Sequence, residues 1–245
     1  MDMAGIVHGR CLTQVILETS LKALNVKALA SLVVLAAIMA ALIFIPAGTL
    51  NYWQAWLFLA VYFASSLTIT LYLMAKDPRL LQRRMRGGPT AEKQPTQKII
   101  MYFTSLEFTA LLIIPALDHR FGWSHVVPAI ELIGDALVLM GFLGVLRVFK
   151  ENTYTSSTIE LAVDQRVIST GPYALIRHPM YAAALGLLTG IPIALGSYLG
   201  LVITVAISST VIWRLLDEEK FLAANLSGYV EYQKKVPHRL IPGFW

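Results

Sequence analysis

The sequence predicts an all-α polytopic membrane protein with about six transmembrane helices. Three observations predict it. Of the 245 residues, 56% are hydrophobic and 14% are charged, against about 25% charged in an average soluble domain. Mean hydropathy is +0.63. Long uncharged runs recur along the chain, and the basic residues collect between alternate pairs of them.

Residues 1–27 hold Asp2, His8, Arg10, Glu18 and Lys22 without a long apolar core. They do not read as a cleaved signal peptide. "LTQVILETSLKALNVK" is weakly amphipathic and suits the membrane surface or a solvated leader. Cys11 is the only cysteine. That excludes an intrachain disulfide and a thiolate metal cluster; palmitoylation of Cys11 is one reading of it, a small apolar residue the other.

A spanning helix needs roughly 20 apolar residues. Segments 26–46 and 53–74 qualify, the second with Trp53 and Trp56 as interfacial anchors. Segments 99–117 and 126–146 qualify although they contain Glu107, and Glu131 with Asp135. Intramembrane acids are functional candidates; Glu131 and Asp135, four apart on one helical face, also suit a headgroup position. Residues 179–213 run for 35 positions without a charge. That is too long for one span, and the Gly196-Ser197 turn signal divides it into a hairpin.

Orientation follows from the positive charges. With six spans, segments 1–25, 75–98, 147–178 and 214–245, with Lys27 at their border, carry 19 of the 20 Lys and Arg residues; only Arg120 falls on the other side. The positive-inside rule places both termini and the two long loops in the cytoplasm. The same asymmetry accounts for the net charge of +5 without nucleic acid as a partner. The basic loop 75–98 reads first as a topological anchor touching anionic lipid. The loop that follows contains "STIELAVDQRVIS", whose alternation suits a short β-like excursion. No obligatory protein partner is evident, and His8, His119, His125 and His238 have no metal-ligand spacing.

"GPYALIRHPMY" (171–181) stands at the door of the last hairpin. Pro179 disfavours helix at His178 and is suited to open a helix itself. The start of that helix offers unpaired N–H groups and a positive dipole end, which favour an anion. Arg177 and His178 add charge, and Tyr173 and Tyr181 add aromatic faces. An interfacial role for His178 and headgroup anchoring for the two tyrosines are the alternatives. At the end of the last span, "WRLLDEEKFL" places Arg214 and Glu218 four apart on one helix face; a solvated surface pair is the alternative there. A ligand carrying both a carboxylate and a cation suits the two elements together.

"GPYALIRHPMY", the hydrophobic hairpin, "RLLDEE" and "GYVEYQKKVPHRLIP" occur in an order and spacing that resembles the isoprenylcysteine carboxyl methyltransferase family of integral membrane enzymes. A similar RHPxY pattern occurs in the related phospholipid N-methyltransferases. The resemblance runs from about Asn152 to the C-terminus, while "DPRLLQRRM" is more similar to bacterial members. It implies two parts: 1–150, transmembrane helices with the basic loop, and 151–245, a methyltransferase core. It implies S-adenosylmethionine as cofactor, contacted by Gln165, Arg166, Val167, Ile168, Tyr173, His178, Pro179, Met180, Tyr181 and Glu218. It implies that Arg214 orients the substrate, a lipophilic methyl acceptor, with a prenylcysteine-like carboxylate favoured, held in a membrane such as the bacterial inner membrane. For an amine acceptor, Glu219 or His178 is a candidate base. A lipid amine, a thiol, a reductase of the sterol reductase type with a nicotinamide cofactor, and a non-enzymatic membrane adaptor are the other classes left open.

Overall fold

The computed structural model describes residues 3–161 and 165–245, with side chains from Leu21 onward and at Thr19. It is all-helical, with no strand among the described residues. The helices are α1 (Met3–Ala47), α2 (Trp53–Lys76), α3 (Pro78–Arg84), α4 (Pro95–Phe121), α5 (Pro128–Glu151), α6 (Pro179–Ala194), α7 (Gly200–Asn225) and α8 (Tyr229–Lys235), with a 3-10 turn at Gly171–Ala174. The β-like excursion expected around 157–169 does not form in its described residues, which run as irregular chain; 162–164 lie outside them. Cys11 and most of the proposed amphipathic face of 12–27 also lie outside the described side chains. That segment continues as helix into the first span without a break.

Four helices start on proline, at Pro78, Pro95, Pro128 and Pro179. A proline at the first helical position loses no hydrogen bond, since that N–H has no partner inside a helix. Asp77 caps α3 by accepting from Leu80 N at 2.9 Å. Gly122 ends α4 in the left-handed conformation.

Five helices are long and apolar enough to cross a membrane: Leu21–Ala47, Trp53–Lys76, Pro95–Phe121, Pro128–Glu151 and Gly200–Asn225. Their most apolar windows are only 17–28% buried inside the protein. Val33, Leu106, Ile133 and Val202 all point outward, so the apolar surface needs a lipid environment rather than water. The expected sixth span is shorter. α6 has 16 residues, about 24 Å at 1.5 Å per residue, short of a hydrocarbon core of about 30 Å. The hairpin turn falls where the sequence places it, at Gly196, whose φ is +72°. α7 runs past Trp213 to Asn225, so Arg214, Glu218 and Glu219 sit on regular helix.

α5 and α6 approach closely because each presents glycine. A Cβ at Gly134 would lie 2.2 Å from Ala194 N, and one at Gly190 would lie 2.7 Å from Gly134 O. Without a hydrophobic drive between helices in lipid, such backbone proximity is what holds two helices together. The main buried core joins α1, α2, α4, α6 and α7 and meets α5 at Val138, with Tyr52, Phe58, Leu111, Ile191 and Ile207 almost wholly enclosed.

Candidate active site

At the basic end of the bundle, His178 is the non-helical residue before α6. Its N–H donates to Arg239 O at 3.0 Å, and the N–H of Arg177 donates to His238 O at 2.9 Å. The chain after α8 is therefore laid along the entry to α6. The Arg177 guanidinium reinforces it, with Nη1 donating to the carbonyls of Val236 and Pro237 at 2.7 and 2.8 Å.

Glu219 is the centre of this arrangement. Its Oε1 accepts from Arg177 Nε at 2.7 Å and lies 3.2 Å from His178 Nε2; its Oε2 accepts from Arg239 Nε at 2.8 Å. The Glu219 side chain is 6% exposed. It does not line the cavity described next. Glu219 ties α7 to α6 and to the C-terminal segment, with both oxygens engaged and the side chain set off the cavity wall.

A cavity of about 600 Å³ opens beside this cluster. Gln165, Arg166, Val167, Ile168, Tyr173, His178, Pro179, Met180, Tyr181, Arg214 and Glu218 all line it. Its inner wall is apolar: Phe142 and Val145 from α5, Leu187 and Leu188 from α6, and Val211 from α7. The cavity thus grades from a polar mouth to an apolar interior within the helical bundle.

Glu218 faces this space one residue from Glu219, because successive residues of a helix point about 100° apart. Its Oε2 accepts from the Tyr181 hydroxyl at 2.5 Å. The first turn of α6, Met180 and Tyr181, carries N–H groups with no intrahelical acceptor. On the opposite wall Tyr173 OH accepts from Asn152 Nδ2 at 3.0 Å, while its carbonyl accepts from Tyr232 OH at 2.7 Å. Burial pushes the Tyr173 phenol up to about 12, against the pull of the Asn152 amide. It stays protonated and keeps a hydrogen to donate.

Arg214 does not pair with Glu218, four residues on. Its Nη2 donates to Glu92 Oε1 at 2.8 Å and to Ser157 O at 3.0 Å. Its Nη1 is buried without a partner. Glu92 is 3% exposed, and its Oε2 accepts from Ile159 N at 3.2 Å. Arg84 also lines the cavity and donates to Ser156 O at 2.8 Å. Both Glu92 and Arg84 come from the loop 75–98 that reads in sequence as a topological anchor. The available signal was weak: Glu92 is one of two acids, with Asp77, in a loop rich in Lys and Arg.

Residues 130–227 match a family model described as phospholipid methyltransferase. The match begins in α5 and runs through the 152–178 segment, α6 and the whole of α7. It takes in every cavity-lining residue singled out in the sequence. A comparison with curated proteins finds no match.

Proposed function

We propose that this protein is an integral membrane methyltransferase that takes its methyl group from S-adenosylmethionine and delivers it to a lipophilic acceptor. The observation that carries the reading is the graded cavity, polar beside the α6 N-terminus and Glu218 and apolar between α5, α6 and α7, inside the segment that matches the methyltransferase family model.

The residues fit such a cofactor. The volume lies within the range of about 300–1,000 Å³ common for small-molecule sites. Glu218 suits an ammonium. The free N–H groups of the first α6 turn suit a carboxylate. Tyr173 and Tyr181 present ring faces that attract a sulfonium methyl. The imidazole of His178 is held by Glu219, so its part is to fix the start of α6 rather than to grip the carboxylate. When bound, the cofactor supplies a methyl group already activated by its sulfonium. The protein's task is then to align the acceptor and exclude water.

Arg214 orients the acceptor in this reading. Glu92 occupies Nη2, which leaves Nη1 for a single acceptor oxygen instead of a two-point grip. That free donor favours an isoprenylcysteine-like carboxylate, with its apolar tail along Phe142, Val145 and Leu188. The description of the matched family favours a second reading, a phospholipid amine. With Glu219 engaged on both oxygens, such an amine would have to arrive neutral. The charge asymmetry puts the cavity mouth and both termini in the cytoplasm, in a bilayer such as a bacterial inner membrane.

Incubating the purified protein with methyl-labelled S-adenosylmethionine and fractionated host lipids tests the reading. Label in one lipid fraction, with its chemical form identified, supports it and separates carboxylate from amine. Label that never leaves the aqueous phase contradicts it.

A further inference from the structure

At the end of the bundle remote from the cavity, α5 buries two acids that the proposed chemistry does not use. Glu131 is 3% exposed and Asp135 is 6% exposed. They stand one turn apart on one face of the helix. Asp135 lies about 10 Å along α5 from Pro128, inside a segment long and apolar enough to cross a membrane.

Their surroundings hold acceptors and almost no donors. Glu131 Oε1 accepts from Gln54 Nε2 at 3.0 Å. Glu131 Oε2, both oxygens of Asp135 and the Gln54 amide oxygen are buried with no partner. The helices packed on α5 supply no counter-charge here. α6 contains no charged residue, and its ionisable Tyr181 is at the opposite end. α2 offers Tyr62, Tyr72 and Lys76, and Lys76 is about 33 Å along the helix from Gln54. Tyr173 of the 3-10 turn lies at the cavity. Tyr52, just before α2, donates its hydroxyl to Leu195 O at 2.5 Å. Behind Tyr52, His119 of α4 stacks on its ring at 3.8 Å, and Asp118 accepts from Ser124 and Ser197.

Two carboxylates one turn apart cannot both stay ionised in such a place. A metal ion is a poor answer, because the described residues include no group of three His, Cys, Asp or Glu able to hold one. A calcium-type ion takes six to eight oxygens. One added hydrogen would suffice: on Asp135 it makes a donor one helical turn from the open Oε2 of Glu131. We infer that Glu131 and Asp135 form a proton-binding pair, with the proton carried on Asp135 and donated to Glu131 Oε2. The pair lets α5 carry acids through the membrane interior without a cation, and joins α5 to α2 through Gln54.

Infrared difference spectroscopy on the full-length protein in detergent tests this. Wild type minus Asp135→Asn at neutral pH is expected to show the loss of one protonated carboxyl stretch. Loss of an ionised carboxylate band instead overturns the inference. Asn is neutral and of the same shape, so the variant should also melt within a few degrees of wild type. If the variant does not fold, wild type made with isotope-labelled aspartate carries the same readout. The protonated band must then shift; a band that is absent or unshifted overturns the assignment.

Discussion

Asp217, Glu218 and Glu219 are adjacent, yet each serves a different neighbour. Asp217 accepts from Gln97 of α4, Glu218 from Tyr181, and Glu219 from Arg177 and Arg239. The run of acids and the Arg-x-x-x-Glu spacing are visible in the sequence, but the partners depend on which way α7 is turned. Glu219, a candidate base by position, is thereby a structural hub. Glu219→Ala leaves the buried Arg177 without its counter-ion, and stability should fall by about 3–5 kcal/mol, read from denaturant unfolding in detergent. Arg214→Lys keeps a charge for Glu92 but lacks the donor that Nη1 offers, so the exchange is not conservative. Turnover should drop more than about tenfold, as expected for a lost charge-assisted contact, while affinity for S-adenosylmethionine stays within about twofold. Wild-type turnover in that variant would remove the support for a carboxylate acceptor.

Among the elements, helix starts were the most legible. Pro179 opens α6 as its position demands, and Gly196 turns the last hairpin. The length of α6 was not legible, because an uncharged run of 35 residues does not say where a short helix ends and a long one begins. Nor was the closeness of α5 and α6: the glycines are visible, but their facing register is tertiary. That register makes a prediction. Gly134→Ala puts a Cβ into the backbone of Ile193 and Ala194, which cannot swing aside. Overpacking of this kind costs typically 1–3 kcal/mol. Gly186→Ala on the same helix pair meets nothing within 4 Å and should be neutral or slightly stabilising, since Ala outranks Gly in a helix. Comparing the two melting curves checks the packing directly.

For the molecule as a whole, composition and charge asymmetry made the membrane class legible, and the all-helical bundle follows. The loop 75–98 shows the limit of that reading. Its charge marks a side of the membrane, but Arg84 lines the cavity and Glu92 holds the cavity residue Arg214, each also bonded to the 156–159 stretch some 70 positions away, which no local pattern announces. The orientation is testable with single cysteines in a Cys11→Ser background. Asn51→Cys and His125→Cys should react with an impermeant maleimide from outside intact cells, and Gln82→Cys and Thr90→Cys only after permeabilisation. Labelling of Gln82→Cys from outside would invert the topology and put the cavity mouth on the wrong side for a cytoplasmic cofactor.

Titration calorimetry decides whether the cavity between α6, α7 and the 152–178 segment takes S-adenosylmethionine. Wild type and Glu218→Ala are each titrated with S-adenosylmethionine and with NADPH. Wild type should bind S-adenosylmethionine saturably and NADPH not at all. Affinity in Glu218→Ala should be at least about tenfold weaker, the order of one lost charge-assisted hydrogen bond. Equal affinity in the two proteins, or binding of NADPH in place of S-adenosylmethionine, would contradict this assignment of the cavity.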